Sequence, residues 1–402
     1  MTKIPIGCRI YSGPKAESME EARNTFLKVF SAFGYKVFCP STIQLVSSCW
    51  SKLPSTIREK LLILNTPHGE AACLRPDLTL TAISYISSHY APQERPLRIC
   101  YADRIFLGPE EPETNLERLQ LGAELIGWDG SGADVEVISI MFKVLDLLGH
   151  RDAQVVIGDT NIIDFMLKNT VPNIAKSLRD ALLRQSLAEY YNTLEKHPVP
   201  DIELSALLAL PTLKGKRSIL NKAESLLPKG TPLSDIKHII STLEKMGYGE
   251  RVSVDLALSR KLNYYSGPVF EVYSPRAGKL LGGGGRYDSL LSSYGIIGQA
   301  IGFALDLEEI ALVKETKIGS NSIMIWSGKT PPEVAMTRAD LLTDKGFNVE
   351  LSWTENRQHS IDLAKRRKYK WWLNALTSKI YDLEEKEEHE LIEWLGKEQE
   401  TC

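Results

Sequence analysis

No run of the sequence approaches the roughly 18 apolar residues that a membrane-spanning helix needs, so no membrane partner is predicted. The opening Met1-Thr-Lys-Ile-Pro-Ile-Gly-Cys-Arg9 has no apolar stretch of the kind that marks a signal peptide. Charge of one sign is also scarce. Lys and Arg number 48 against 51 Asp and Glu, a formal balance of −3. A chain that grips phosphate backbones usually carries a positive surplus, so the charge balance argues against nucleic acid as a partner. The six cysteines (Cys8, Cys39, Cys49, Cys73, Cys100 and Cys402) form no C-x-x-C pair and have no histidine at ligand spacing. That spacing argues against a structural zinc and predicts reduced thiols in a cytoplasmic protein. No metal and no cofactor are predicted, and no internal repeat or long low-complexity tract is present.

What is there is an ordinary globular composition, 43% hydrophobic and 25% charged, over 402 residues, enough for two or three domains with sizeable cores. Met19, Ala22, Phe26, Val29, Phe30 and Phe33 recur at helical spacing over 16–33, and Gly34 stops that helix. Strands are predicted near 71–74, 97–107, 117–127 and 153–158, and helices over 77–88, 134–148 and 160–168. From about 170 to 248 the pattern is helical throughout, an insertion between two halves of one sheet. Strand signals resume at 251–258, 264–273 and 278–282. Gly282-Gly-Gly-Gly285 then punctuates the chain, and a helix is predicted over 300–313. After a linker at 315–321 the pattern alternates strand and helix: strands at 322–327, 348–353 and 371–375, helices at 331–345, 357–367 and 387–396. The expected fold class is α+β. A core over 1–314 has an antiparallel six-stranded sheet flanked by helices, and a small α/β domain covers 322–402.

The strand Glu117-Arg-Leu-Gln-Leu-Gly-Ala-Glu-Leu-Ile-Gly127 carries the first functional signal. Alternation sends Leu119, Leu121, Ala123 and Leu125 to a core. Arg118, Gln120 and Glu124 face the other way, and Gly122 leaves the centre between them open. Such a floor suits the ammonium group of an amino acid. A half-exposed antiparallel strand with a polar outer face fits the same pattern. In Leu74-Arg-Pro-Asp-Leu-Thr79, Asp77 and Thr79 sit at a helix start, where Asp also serves as a plain cap. Arg260-Lys-Leu-Asn-Tyr-Tyr265 adds an arginine and paired tyrosines, and Gly284-Gly285 ahead of Arg286-Tyr-Asp288 allows close backbone approach.

Taken in order, these segments resemble histidyl-tRNA synthetase, a class II synthetase. Gly34-Tyr35 and Pro40 match its dimer-forming first motif. Leu74-Arg-Pro-Asp-Leu-Thr79 matches LRPE-x-T with Asp for Glu. Gln120 and Glu124 match the second-motif strand, Arg260 to Tyr265 matches RGLDYY, and Gly284-Gly-Arg-Tyr-Asp288 matches GGRYD. Gly302-Phe-Ala-Leu-Asp-Leu-Glu-Glu309 occupies the third motif. The resemblance covers about 5–313, while the C-terminal domain resembles the family's anticodon-binding domain only faintly. It implies a histidine pocket of Asp77, Thr79, Gln120, Glu124, Arg260, Tyr264 and Tyr265. Arg118, Gly284 and Gly285 are further candidates to line it.

Two departures matter most. The second motif of the family reads F-R-x-E, but Phe106 is followed by Leu107. The third ends G-L-E-R, but here Glu309 takes the last place. Those arginines grip the phosphates of ATP with a rigid, permanently charged fork. One such charge contact is on the order of 4 kcal/mol at about 4 Å and an effective dielectric near 20. Arg118 stands where the family usually has an aromatic residue and offers partial compensation for Leu107. The loop of the second motif is also acidic here, Pro109-Glu-Glu-Pro-Glu-Thr114. A chain with the pocket but without the arginines resembles the regulatory subunits of short-form ATP phosphoribosyltransferase. That resemblance implies no catalytic residue, a separate catalytic subunit as partner, and L-histidine as feedback ligand. It implies a homodimer within a larger hetero-oligomer, expected to be a hetero-octamer. The rival readings are a divergent synthetase relying on Arg118 and a stand-alone histidine or RNA sensor.

Residues 365–372, Lys-Arg-Arg-Lys-Tyr-Lys-Trp-Trp, are basic with aromatic neighbours, a composition that can bind RNA. A charged helix end running into a buried strand gives the same pattern. The nine acidic residues against two lysines over 382–400 oppose RNA nearby. The C-terminal domain is therefore expected to brace an assembly.

Overall fold

The computed structural model describes residues 3–53, 55–108, 115–197, 201–260, 264–276, 278–312 and 321–400. The acidic loop 109–114, residues 261–263 of the arginine–tyrosine motif, Pro198, Pro200, most of the 315–321 linker and Cys402 lie outside the described residues. The chain divides into two compact units, Met1–Leu312 and Val313–Cys402.

The first unit is built on one sheet. Six strands are mutually antiparallel in the order Leu97–Phe106, Glu117–Ile126, Ala300–Asp306, Lys279–Arg286, Pro268–Ser274 and Gln154–Asp159. Short strands extend it at both ends. Lys36–Val37 runs parallel to Leu97–Phe106, and Val252–Asp255 parallel to Gln154–Asp159, with Lys214–Gly215 beyond. This is the α+β architecture expected, widened by short flanking strands. The helix Pro14–Ala32 lays Met19, Ala22, Phe26, Val29 and Phe30 on one face of the sheet. Phe30 reaches Phe303 at 5.7 Å between ring centroids. Each of the larger side chains, Met19, Phe26, Val29 and Phe30, contributes roughly 1.5–3 kcal/mol by its burial. Helix Gly132–Leu147 and the helices over 172–243 join the same apolar core.

Four elements differ from the sequence reading. Residues 300–306 are a strand, and only Leu307–Ile310 is helical. Ile301, Phe303 and Leu305 alternate with small residues, a period of two hidden inside a continuous apolar run. Gly282–Gly285 are not a turn but the interior of the strand Lys279–Arg286. Ile43–Leu45, Ala71–Leu74 and Ile63–Asn65 form a separate three-stranded sheet, of which only the middle strand was legible. The fourth lies in the second unit, where Lys379–Asp382 and Glu388–Glu390 are strands pairing antiparallel beside Trp371–Asn374. Their charged sequence hides them.

The rest of the second unit is as patterned. Asn348–Ser352, Ser322–Trp326 and Trp371–Asn374 are parallel, with helices Pro332–Asp344 and Arg357–Arg366 as crossovers. Trp371 and Trp372 are buried, Trp372 stacking on Trp326 at 5.6 Å. The basic run is therefore a helix end leading into a core strand, and these two tryptophans offer no face to RNA. Among the described residues, no helix is long and apolar enough to cross a membrane.

Candidate functional site

A cavity of about 310 Å³ opens over the sheet where Glu117–Ile126, Ala300–Asp306 and Lys279–Arg286 lie side by side. Its floor follows from strand alternation. Arg118 and Gln120 line it, as do Asp77 and Thr79 from the start of helix Leu78–His89 and Arg260, Tyr264 and Tyr265 from the far wall. Asp77 caps that helix, its Oδ1 accepting the Leu80 N–H at 2.7 Å. The cap and the pocket position are thus one residue. Burial pushes the Asp77 carboxyl up to about 6, against its backbone hydrogen bonds.

Glu124 does not line the cavity directly. It is fully buried beneath it and takes three hydroxyl donors. Thr79 Oγ1 and Tyr101 Oη donate to its Oε1, each at 2.7 Å, and Tyr287 Oη donates to Oε2 at 2.5 Å. Burial lifts its pKa to about 7, although all three donors act to lower it. The open centre expected at Gly122 is also filled. Gly122 pairs across the sheet with Tyr101, and any Cβ there would overlap the Tyr101 ring. The missing side chain makes room for a phenol that holds Glu124, and no space is left there for a ligand. Tyr101 escaped the sequence reading, and Tyr287 was read only as part of the Gly-Arg-Tyr-Asp motif, not as a partner of Glu124. The signal for Tyr101 was its place opposite a glycine.

Gly284 and Gly285 are not in the cavity wall, which instead takes Gly282 and Gly283. Their reason is close packing. A Cβ on Gly283 would overlap the Arg260 guanidinium, and one on Gly284 the Gly302 carbonyl. Arg260 lies flat on the strand at Gly283, donating from Nη1 to the Phe270 carbonyl at 2.8 Å, with Tyr265 beneath it at 5.9 Å. Asp306, at the end of the third-motif strand, lines the opposite wall. The wall thus carries two carboxylates, Asp77 and Asp306, and two guanidinium groups, Arg118 and Arg260, the latter also paired with Glu271 at 3.9 Å.

Other motif residues have structural work. Arg75 is buried and donates to the Pro40 carbonyl at 2.6 Å and the Arg104 carbonyl at 2.5 Å while pairing with Asp103. It fastens the first-motif loop to the strand Leu97–Phe106. Arg286 is buried against Asp134 of helix Gly132–Leu147 at 2.6 Å. Leu107 packs among apolar neighbours. Glu309 is not a bare carboxylate repelling phosphate, because Lys279 Nζ pairs with it at 3.0 Å. The pair is near neutral, and the fork of donors that phosphates need is absent from both arginine positions. Among the described residues, no three His, Cys, Asp or Glu side chains are grouped to hold a metal. A larger cavity of about 640 Å³ lies behind the same helix and shares only Asp77 with the pocket.

The family model described as histidyl-tRNA synthetase matches residues 7–310. Two solved structures share the fold over nearly the whole chain. One, titled an ATP phosphoribosyltransferase regulatory subunit/histidyl-tRNA synthetase from Bacillus halodurans, gives a TM-score of 0.80 at 23% identity, covering 93% of this chain and 97% of that one. The other, a histidyl-tRNA synthetase from a Nostoc species, gives 0.82 at 16%, covering 100% and 99%. The fold is therefore that of the class II, histidyl-tRNA synthetase-like proteins. Curated relatives narrow this further. The ATP phosphoribosyltransferase regulatory subunit of Bacillus velezensis is 30% identical over 316 residues, covering 77% of this chain and 80% of the relative. That of Bacillus pumilus is 29% identical over 325 residues, covering 79% and 82%. The chain belongs to the family of ATP phosphoribosyltransferase regulatory subunits.

Proposed function

We propose that this chain is the non-catalytic regulatory subunit of a short-form ATP phosphoribosyltransferase, acting in the first step of histidine biosynthesis. It binds a separate catalytic subunit that condenses ATP with phosphoribosyl pyrophosphate, raises its activity, and lets L-histidine reduce it. The observation that carries this reading is a pocket lined by both carboxylates and guanidinium groups beside a phosphate position that has lost both arginines. Leu107 is apolar, and Glu309 is tied to Lys279.

A pocket with Asp77 and Asp306 against Arg118 and Arg260 suits a zwitterion. The ammonium is drawn to Asp77 and Gln120, and the carboxylate to Arg260, with Tyr264 and Tyr265 walling the ring. Thr79 and Glu124 hold this wall through their shared hydrogen bonds. The volume is at the small end of the roughly 300–1,000 Å³ of ligand pockets, which fits an amino acid better than a nucleotide. Feedback requires histidine to bind two states of the assembly unequally, about 1.4 kcal/mol for each tenfold difference. The assembly is inferred to be a homodimer within a hetero-octamer, working in the cytoplasm.

The test is to mix the purified chain with a short-form catalytic subunit and follow ATP-dependent consumption of phosphoribosyl pyrophosphate. Co-elution, a faster rate with the chain present, and a fall in that rate on adding histidine are expected. A catalytic subunit that elutes alone and turns over at an unchanged rate contradicts the reading.

A further inference from the structure

Cys49 Sγ and Cys73 Sγ lie 3.7 Å apart, joined by a thiol hydrogen bond and not by a disulfide. Cys73 sits fully buried in the middle strand of the three-stranded sheet, flanked in register by Gln44 and Ile63. Cys49 ends the short helix Val46–Cys49 that packs over that strand, and it faces the 640 Å³ cavity. The two thiols thus have opposite access, one reachable from the cavity and one sealed behind it. A disulfide has its sulfurs about 2 Å apart, so closing the gap asks each sulfur to move less than about 1 Å.

We propose that Cys49 and Cys73 form a redox-modification site, a dithiol that a low-molecular-weight disulfide of the glutathione class converts to an intramolecular disulfide. The Cys49 thiolate attacks the reagent disulfide, forming a mixed disulfide and releasing one reagent thiolate. Cys73 then attacks the Cys49 sulfur, and the departing second reagent thiolate takes up the Cys73 proton. Two protein thiols are oxidised and one reagent disulfide is reduced to two thiols, so the electrons balance. The order is set by access and by acidity. Burial pushes the Cys73 thiol up to about 12, so Cys73 is a poor first nucleophile. Once Cys49 carries the mixed disulfide, contact with Cys73 makes the second step intramolecular.

Position gives this site a consequence. Cys73 is two residues from Arg75, which pins the Pro40 loop, and four from Asp77 in the pocket wall. The crosslink ties helix Val46–Cys49 to the strand that leads into that wall. Cys39 lies near enough to Cys100 to act on it electrostatically, but among the described residues the sulfur–sulfur contact is that of Cys49 with Cys73, and every cysteine is a free thiol.

The test equilibrates the full chain with oxidised and reduced glutathione at graded ratios, quenches with an alkylating reagent, and counts labelled thiols by intact mass and peptide mapping. Oxidising ratios are expected to remove two of the six alkylatable thiols and to yield one crosslinked peptide pair, that of Cys49 and Cys73. In Cys73→Ser, Cys49 is expected to stop at the mixed disulfide with glutathione. In Cys49→Ser, a milder change at a partly exposed site, Cys73 should remain alkylatable after unfolding at every ratio. Six labelled thiols at all ratios, or a crosslink between any other pair, overturns the proposal. The assay uses neither histidine nor a catalytic subunit, so its result is independent of the proposed function.

Discussion

The Tyr287 hydroxyl donates to Glu124 Oε2 at 2.5 Å, joining the G-R-Y-D segment to the central floor strand. Through this contact Glu124 organises the pocket from beneath, with Thr79 and Tyr101 on its other oxygen. Its carboxyl is held up near 7 by burial. Between its ordinary value near 4.5 and about 7, the folded chain keeps a proton there that the unfolded chain has released. That contribution to stability is present below about 4.5 and lost as pH rises through about 7. Glu124→Gln removes the titration. Urea unfolding at pH 5 and pH 8 is expected to show wild type losing stability relative to the variant, on the order of 1–3 kcal/mol. Equal pH dependence in the two proteins contradicts the burial of a titrating Glu124.

Gly122 is required because Tyr101 lies across it. Gly122→Ala forces the buried phenol to shift and breaks its grip on Glu124. Overpacking of this kind costs about 1–3 kcal/mol. Denaturant unfolding is expected to show a loss in that range, while a neutral substitution would mean that the ring has room to move.

Much of this was legible in the sequence, and the failures have identifiable causes. Helix Pro14–Ala32 was readable because its apolar residues recur on one face, and strand Glu117–Ile126 because apolar and polar positions alternate along it. Ala300–Asp306 was read as a helix because both its faces are buried, and a run apolar on both sides has no visible period. Gly282–Gly285 read as a turn because glycine is the usual turn signal. Only the third dimension brings Arg260 and Gly302 close enough to demand it. Asp77, Gln120, Arg118 and the tyrosine pair were found as motif residues. Tyr101 and Tyr287 reach Glu124 from residues 23 and 163 positions away in the chain, distances no local pattern encodes.

Arg260 is the proposed carboxylate anchor, held flat by Gly283 and the Phe270 carbonyl. Arg260→Lys keeps the charge and loses the fork. Calorimetric titration with histidine is expected to show affinity weakened roughly 10- to 100-fold, the scale of losing about 1.5–3 kcal/mol of charged hydrogen bonding. Circular dichroism should be unchanged. Unaltered affinity would move the histidine site away from this pocket.

The most direct check on a synthetase-like fold without synthetase chemistry is ATP–pyrophosphate exchange by the purified chain, with and without histidine. With Leu107 in place of one phosphate-gripping arginine and Glu309 bound to Lys279 in place of the other, exchange is expected to stay at background in both cases. Exchange that rises with histidine would mean Arg118 has restored nucleotide binding, and would contradict the account.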